Sequence, residues 1–116
     1  MHNFKNLKVW EKAMHLVEDV YKLTALMPES EKLGLTSQIR RSAVSIPSNI
    51  AEGAGRSSNK DFVRFLYMSL GSANEMETQL ELAKILGFLK NSELSTIESQ
   101  LNEIQKMCNK LIQRLS

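Results

Sequence analysis

Apolar residues recur every three or four positions in four segments of the chain, which is the spacing of one face of an α-helix. The first segment runs from about Leu7 to Met27 and ends at Pro28, which cannot continue a helix. Two apolar seams leave this segment only a narrow polar stripe. The seams are Leu7, Trp10, Met14, Val17 and Tyr21, and Val9, Ala13, Leu16, Val20, Leu23 and Met27. A helix this apolar needs burial on more than one side, so we predict that it also contacts another subunit.

The second segment runs from about Glu31 to Ala54, and Ser30 is its predicted N-cap. Pro47 lies in the middle, where it removes a backbone donor and predicts a kink. Gly55 follows the segment and is predicted to end it in the left-handed conformation.

The third segment begins after Ser58, a capping residue, and continues to about Leu86. Its small residues at positions 71–73, a glycine, a serine and an alanine, are predicted to lie opposite the small residues of the second segment. The fourth segment has the strictest pattern, with alternating steps of three and four residues as in a heptad seam. That seam is Leu94, Ile97, Leu101, Ile104, Cys108, Leu111 and Leu115.

Short connections between long helices favour antiparallel neighbours. We therefore predict an all-α fold: an antiparallel up-down-up-down four-helix bundle with a Pro-kinked second helix. Residues 1–6 form an N-terminal tail and residues 7–116 form the bundle. A chain of 116 residues can bury a core of this kind without disulfides or metals.

The chemistry of the chain favours a protein without catalytic function. His2 and His15 have no neighbours that would complete a metal site or a catalytic triad, so we expect no enzyme activity, cofactor or metal. The lone Cys108 fits a reducing compartment. From the pattern of charged and apolar residues we expect neither a signal peptide nor a membrane-spanning stretch. The predicted location is the cytoplasm, with no membrane partner.

The net charge is only +2, but basic residues are concentrated between positions 38 and 64. They are Arg40, Arg41, Arg56, Lys60 and Arg64, against Glu52 and Asp61 alone, and the N-terminal stretch adds Lys5, Lys8 and Lys12. Elsewhere along the chain the two signs roughly cancel. These residues are the candidates for phosphate contacts.

Helical geometry separates the two neighbouring arginines by roughly 100°. Arg41 is predicted to face the third segment and form a structural ion pair with Glu75, with a phosphate contact as the alternative. Arg40 then points outward and is a candidate nucleic-acid contact. The other candidates, Arg56, Lys60 and Arg64, cluster at the end of a helical hairpin, where the alternatives are anion binding and a solvated loop.

The stretch QIRRSAVSIPSNIAEGAGR, from Gln38 to Arg56, is distinctive. Together with Leu7-x-x-Trp10 before it and GSANEME (71–77) after it, it resembles the bacterial four-helix-bundle proteins encoded by 23S rRNA intervening sequences. The accessory protein of diversity-generating retroelements is a similar protein. The resemblance covers nearly the whole chain, although Met76 stands where the family more often has leucine. It implies a ring-shaped homopentamer that works beside nucleic acid or a nucleic-acid-processing protein.

Charge pattern and resemblance together lead to one functional hypothesis. The chain is expected to be a non-enzymatic, homo-oligomeric adaptor that binds RNA or DNA non-specifically. The alternative is a protein–protein scaffold with no nucleic-acid contact. The two differ in their salt dependence, because phosphate binding weakens steeply as salt rises.

Overall fold

A computed structural model describes all 116 residues, and it contains four long helices and no strand. The helices are α1 (Lys8–Thr24), α2 (Leu35–Ala54), α3 (Asn59–Ile85) and α4 (Asn91–Leu115). Single turns of 3₁₀ helix precede α1 and α2, at Phe4–Asn6 and Glu29–Glu31. The predicted all-α four-helix fold is confirmed. No helix in it combines the length and the apolar character that crossing a membrane requires.

Each helix packs against two others, so that α1 and α3 both lie between α2 and α4. Hydrogen bonds fix the direction of α2 and α3, because Ser42 contacts Gln79 (2.8 Å) and Ser45 contacts Ser72 (2.9 Å). Residue numbers rise on one helix as they fall on the other, which is antiparallel pairing. The helices α1 and α4 are also antiparallel, because Lys12 contacts Glu103 at 3.1 Å and Asp19 contacts Gln100 at 2.9 Å. The pairs α2–α3 and α1–α4 are therefore each antiparallel.

The core is built from all four helices, and α4 contributes a continuous buried row to it. That row is Leu94, Ile97, Leu101, Ile104, Cys108 and Ile112. The predicted seam was therefore wrong at its end, since Ile112 is buried whereas Leu111 and Leu115 are only partly so. A straight α-helix repeats every 3.6 residues, and the face drifts away from a 3.5-residue seam after a few turns.

The helices α2 and α3 approach each other closely at Gly53. A Cβ atom there would lie 2.7 Å from the Cβ of Phe65 and 3.2 Å from the carbonyl oxygen of Phe62. Gly71 of α3 has no atom within 4 Å of the corresponding position. Of the predicted run of small residues, Ser72 faces α2, whereas Gly71 points into open space.

The helix ends follow the predicted caps only in part. The hydroxyl of Ser58 accepts a hydrogen bond from the amide of Asp61 at 3.1 Å, which confirms the N-cap of α3. Ser30 does not cap α2, which begins four residues later than predicted. There the carboxylate of Glu31 accepts a hydrogen bond from the amide of Leu35 at 3.1 Å.

The left-handed glycine is at a different place from the predicted one. Gly55 ends α2 with φ −83°, which is right-handed backbone. Gly87, after α3, has φ 81°, and it is the one residue with positive φ. Pro47 lies inside a helix that continues on both sides of it, and the kink expected there stays a prediction.

The first six residues pack on the end of the bundle where α2 passes into α3. The amide of His2 donates to the carbonyl of Ala54 at 2.8 Å, and its ring lies 5.1 Å from that of Phe62. Phe4 meets Trp10 edge to face, with ring centroids also 5.1 Å apart. The N-terminal segment thus connects the start of α1 to the α2–α3 hairpin.

Candidate nucleic-acid interface

Arg40 does not point outward as predicted, because its guanidinium group is bonded to the end of α1. Its Nε donates to the hydroxyl of Thr24 at 2.8 Å, and its Nη2 donates to the carbonyl of Tyr21 at 3.2 Å. The group also lies 4.4 Å above the centre of the Tyr21 ring. A cation at the C-terminus of a helix is stabilised by the free carbonyls and the helix dipole. Arg40 therefore joins α1 to α2.

Arg41 is the exposed member of the pair, and its predicted ion pair with Glu75 is not formed. No carboxylate lies within 4.0 Å of it. The carboxylate of Glu75 instead accepts a hydrogen bond from the hydroxyl of Ser42 at 3.0 Å. The side chain that faces α3 is therefore Ser42, one position later, and the predicted inner and outer arginines are the wrong way round.

At the α2–α3 hairpin, two arginines share one aromatic ring. The guanidinium groups of Arg56 and Arg64 each lie 4.7 Å from the centre of the Phe65 ring. Each is also paired with a carboxylate of its own helix, Arg56 with Glu52 at 3.1 Å and Arg64 with Asp61 at 3.6 Å. Exposed pairs of this kind contribute at most about 1 kcal/mol, so a phosphate can displace the carboxylates at low cost.

Lys60, at the same hairpin, is exposed and has no carboxylate within 4.0 Å. Lys60 lies one helical turn before Arg64 at the start of α3, so the three basic residues are at the same end of the hairpin. The net charge of the hairpin cluster is small, because two acidic side chains accompany its three basic ones.

The end of α4 adds positive charge that the charge pattern along the sequence does not single out. Dividing each helix at its midpoint gives one half of the bundle made of residues 1–15, 45–72 and 104–116, which we call the basic half. It holds nine Lys and Arg against three Asp and Glu, a formal charge of +6. The basic residues are Lys5, Lys8, Lys12, Arg56, Lys60, Arg64, Lys106, Lys110 and Arg114. The other half consists of residues 16–44 and 73–103. It holds six Lys and Arg against ten Asp and Glu, a formal charge of −4.

This separation corrects the expectation that the two signs cancel outside the central stretch. They cancel along the sequence but not in space, because antiparallel packing places the last turns of α4 beside the start of α1. Lys106, Lys110 and Arg114 follow one another at intervals of four residues, so they lie on one face of α4. That spacing is the signal in the sequence that could have identified them.

Cys108 and His15, two residues of types that often act in catalysis or bind metals, lie in different surroundings. Cys108 is buried in the core, and this burial raises the pKa of its thiol to about 12, so it is protonated at neutral pH. His15 is exposed on α1. No three His, Cys, Asp or Glu side chains come together in a way that would hold a metal ion.

The chain is similar to a known protein family and to proteins whose structures have been solved. Residues 5–110 match the model of a family described as 23S rRNA-intervening sequence protein. The fold is similar to the crystal structure of a protein of unknown function from the S23 ribosomal protein family of Bacteroides thetaiotaomicron VPI-5482, with a TM-score of 0.82 and 30% identity. That similarity covers 90% of this chain and 97% of the other. No curated protein matches the chain.

Proposed function

We propose that this chain, which belongs to the 23S rRNA-intervening sequence protein family, is a non-enzymatic, homo-oligomeric adaptor that binds RNA or DNA without sequence preference. The observation that carries the proposal is the separation of charge along the bundle, with +6 on one half and −4 on the other. A concentrated basic surface attracts the phosphate backbone of any nucleic acid, and this attraction does not depend on base sequence.

The basic half offers two groups of phosphate contacts. The first is the predicted hairpin cluster of Arg56, Lys60 and Arg64, in which Phe65 holds the arginines in place. The second is the row on α4 that includes Lys110 and Arg114, neither of which has a carboxylate within 4.0 Å. Arg40 is no longer a candidate phosphate contact, because its guanidinium group donates hydrogen bonds to α1.

Oligomerisation strengthens such a surface. A single subunit offers a limited number of phosphate contacts, and each of them is weak at physiological salt. Several copies on one nucleic acid act at high effective concentration, so a modest patch becomes a useful one. Exposed apolar side chains in the groove between α1 and α2, among them Met14 and Val44, support association of copies through that face.

The test is the affinity for a fluorescent single-stranded RNA of mixed sequence, measured by anisotropy at several salt concentrations. The double variants Arg56→Gln/Lys60→Gln and Lys110→Gln/Arg114→Gln should each weaken binding equally across sequences. The slope of log affinity against log salt should become shallower by about 0.7 for each phosphate that is no longer neutralised. Arg41→Gln with Lys90→Gln removes the same charge from exposed, unpaired side chains of the other half, and it should leave the slope unchanged.

Two results would contradict the proposal. Equal weakening by the control pair would mean that overall charge, and not the basic half, determines binding. Absence of a complex with any nucleic acid at low salt would favour the alternative, a protein–protein scaffold. The exposed apolar face between α1 and α2 is the feature that such a scaffold would use.

A further inference from the structure

A cleft of about 650 Å³ lies between the start of α1 and the last turns of α4. Basic side chains, among them Lys8, Lys110 and Arg114, line it together with aliphatic ones such as Leu7 and Leu111. We propose that this cleft binds an anionic amphiphile, a molecule with an aliphatic chain and a carboxylate or phosphate head group. The inference does not depend on nucleic-acid binding.

The charges that line the cleft indicate a ligand with an anionic head group. Lys8, Lys110 and Arg114 contribute to the lining, and no aspartate or glutamate does. None of the three has a carboxylate within 4.0 Å anywhere in the chain. Lys110 and Arg114 are four residues apart on one helix face, where like charges destabilise each other. A bound anion relieves this repulsion and receives several charge-assisted hydrogen bonds.

The apolar part of the lining indicates that the ligand also carries an aliphatic chain. Leu7, Met107, Leu111 and Leu115 are only partly buried, and they pack with one side against the core. Covering their remaining surface removes apolar area from water, which favours binding of an alkyl chain. The volume of the cleft lies within the range of sites for small molecules, roughly 300 to 1,000 Å³.

The lining of the cleft favours an amphiphile over a nucleotide, because it offers no aromatic ring on which a base could stack. Sites for unpaired bases stack them on aromatic rings, and no Phe, Tyr or Trp lines this cleft. Its one ring, the imidazole of His2, packs against Phe62. The nearby Phe4 and Trp10 pack against each other. An alkyl chain needs no ring and fits an aliphatic floor.

The experiment titrates decanoate into the full chain below its micelle concentration, with calorimetry for affinity and methyl NMR for location. Saturable binding should shift the methyl signals of Leu7, Leu111 and Leu115. Decyl phosphate should bind similarly, because it carries the same chain and an anionic head. Butyrate and inorganic phosphate lack the chain, decyltrimethylammonium has the wrong charge, and each should bind at least about tenfold more weakly.

A pair of double variants tests the basic side chains. Lys110→Gln/Arg114→Gln removes two of the three charges that line the cleft, and it should weaken decanoate binding about tenfold. Lys60→Gln/Lys106→Gln removes the same charge from exposed side chains of the basic half that do not line the cleft. This control should change binding by less than about twofold, because exposed charges away from a ligand are screened.

Three results would overturn the inference. The first is that decyltrimethylammonium or adenosine monophosphate binds as tightly as decanoate. The second is that the two double variants lose affinity equally. The third is that the shifted methyl signals belong to Val17 and Val44, which line the groove between α1 and α2 and not the cleft.

Discussion

Gly53 is the residue at which the packing of α2 on α3 leaves no room for a side chain. Replacing it with alanine places a methyl group 2.7 Å from the Cβ of Phe65, so backbone has to move. Overpacking of this kind costs about 1–3 kcal/mol, more than the roughly 1 kcal/mol that alanine gains over glycine in a helix. We expect Gly53→Ala to lower the free energy of unfolding in denaturant melts.

Gly71 provides the matched control, because it is also a helical glycine but has no atom within 4 Å of the point that a Cβ would occupy. Gly71→Ala should raise the free energy of unfolding by up to about 1 kcal/mol. Equal effects of the two substitutions would show that helix propensity, and not the close approach of α2 and α3, determines the cost at position 53.

The two neighbouring arginines show what the sequence leaves undetermined for single side chains. The helical period separates the directions of Arg40 and Arg41, and that separation is correct. Which of them contacts a neighbouring helix depends on where α1 and α3 lie around α2, and the pattern of a single helix does not give the positions of its neighbours. The buried Thr24 and the carbonyl of Tyr21 decide it, because they bind the guanidinium of Arg40.

Among the helices, α4 shows the same division between what periodicity predicts and what packing adds. Its existence, its polar outer face and the first five buried positions were predictable from periodicity, because apolar burial dominates helix packing. The buried residue at the end of the row was not predictable in this way, since a strict heptad seam continues only along a helix that supercoils. Leu94 and Ile112 are about five turns apart at 3.6 residues per turn, which keeps both on the buried face.

This difference leads to a prediction for two adjacent residues. Ile112→Ala should cost about 2–5 kcal/mol, nearer the lower figure because the last turn of a helix frays. Leu111→Ala should cost clearly less, because that side chain is only partly buried. Urea melts of both variants measure the difference, and a larger loss at Leu111 would mean that the heptad seam continues to the end of α4.

Across the bundle as a whole, the separation of charge depends on topology. The hairpin cluster was predictable because its residues are close in sequence. The contribution of α4 required the knowledge that its last turns lie beside the first turn of α1, at the opposite end of the sequence. Antiparallel order was itself predicted, so combining it with the positions of the charges would have identified the basic half.

The surface between α1 and α2 is an apolar part of the molecule that the single chain leaves partly uncovered. A groove there is lined by Trp10, Met14, Val17, Val44 and Pro47. Met14 is 47% exposed and Val44 is 40% exposed, so the outer seam of α1 remains in contact with water. Apolar side chains that are contiguous in this way are typical of protein–protein contacts, which supports our proposal that copies of the chain associate through this groove.

Replacing Met14 with glutamate tests that proposal directly. A charge in the centre of an apolar contact has to be desolvated without a partner, so Met14→Glu should shift the protein to monomers in sedimentation velocity at micromolar concentration. Met68→Glu is the control, because Met68 is 46% exposed on α3 and lies outside the groove. It should leave the oligomer intact. Both variants should fold, since an exposed position tolerates charge. A wild-type protein that sediments as a monomer, or dissociation caused by Met68→Glu alone, would refute the groove as the subunit contact.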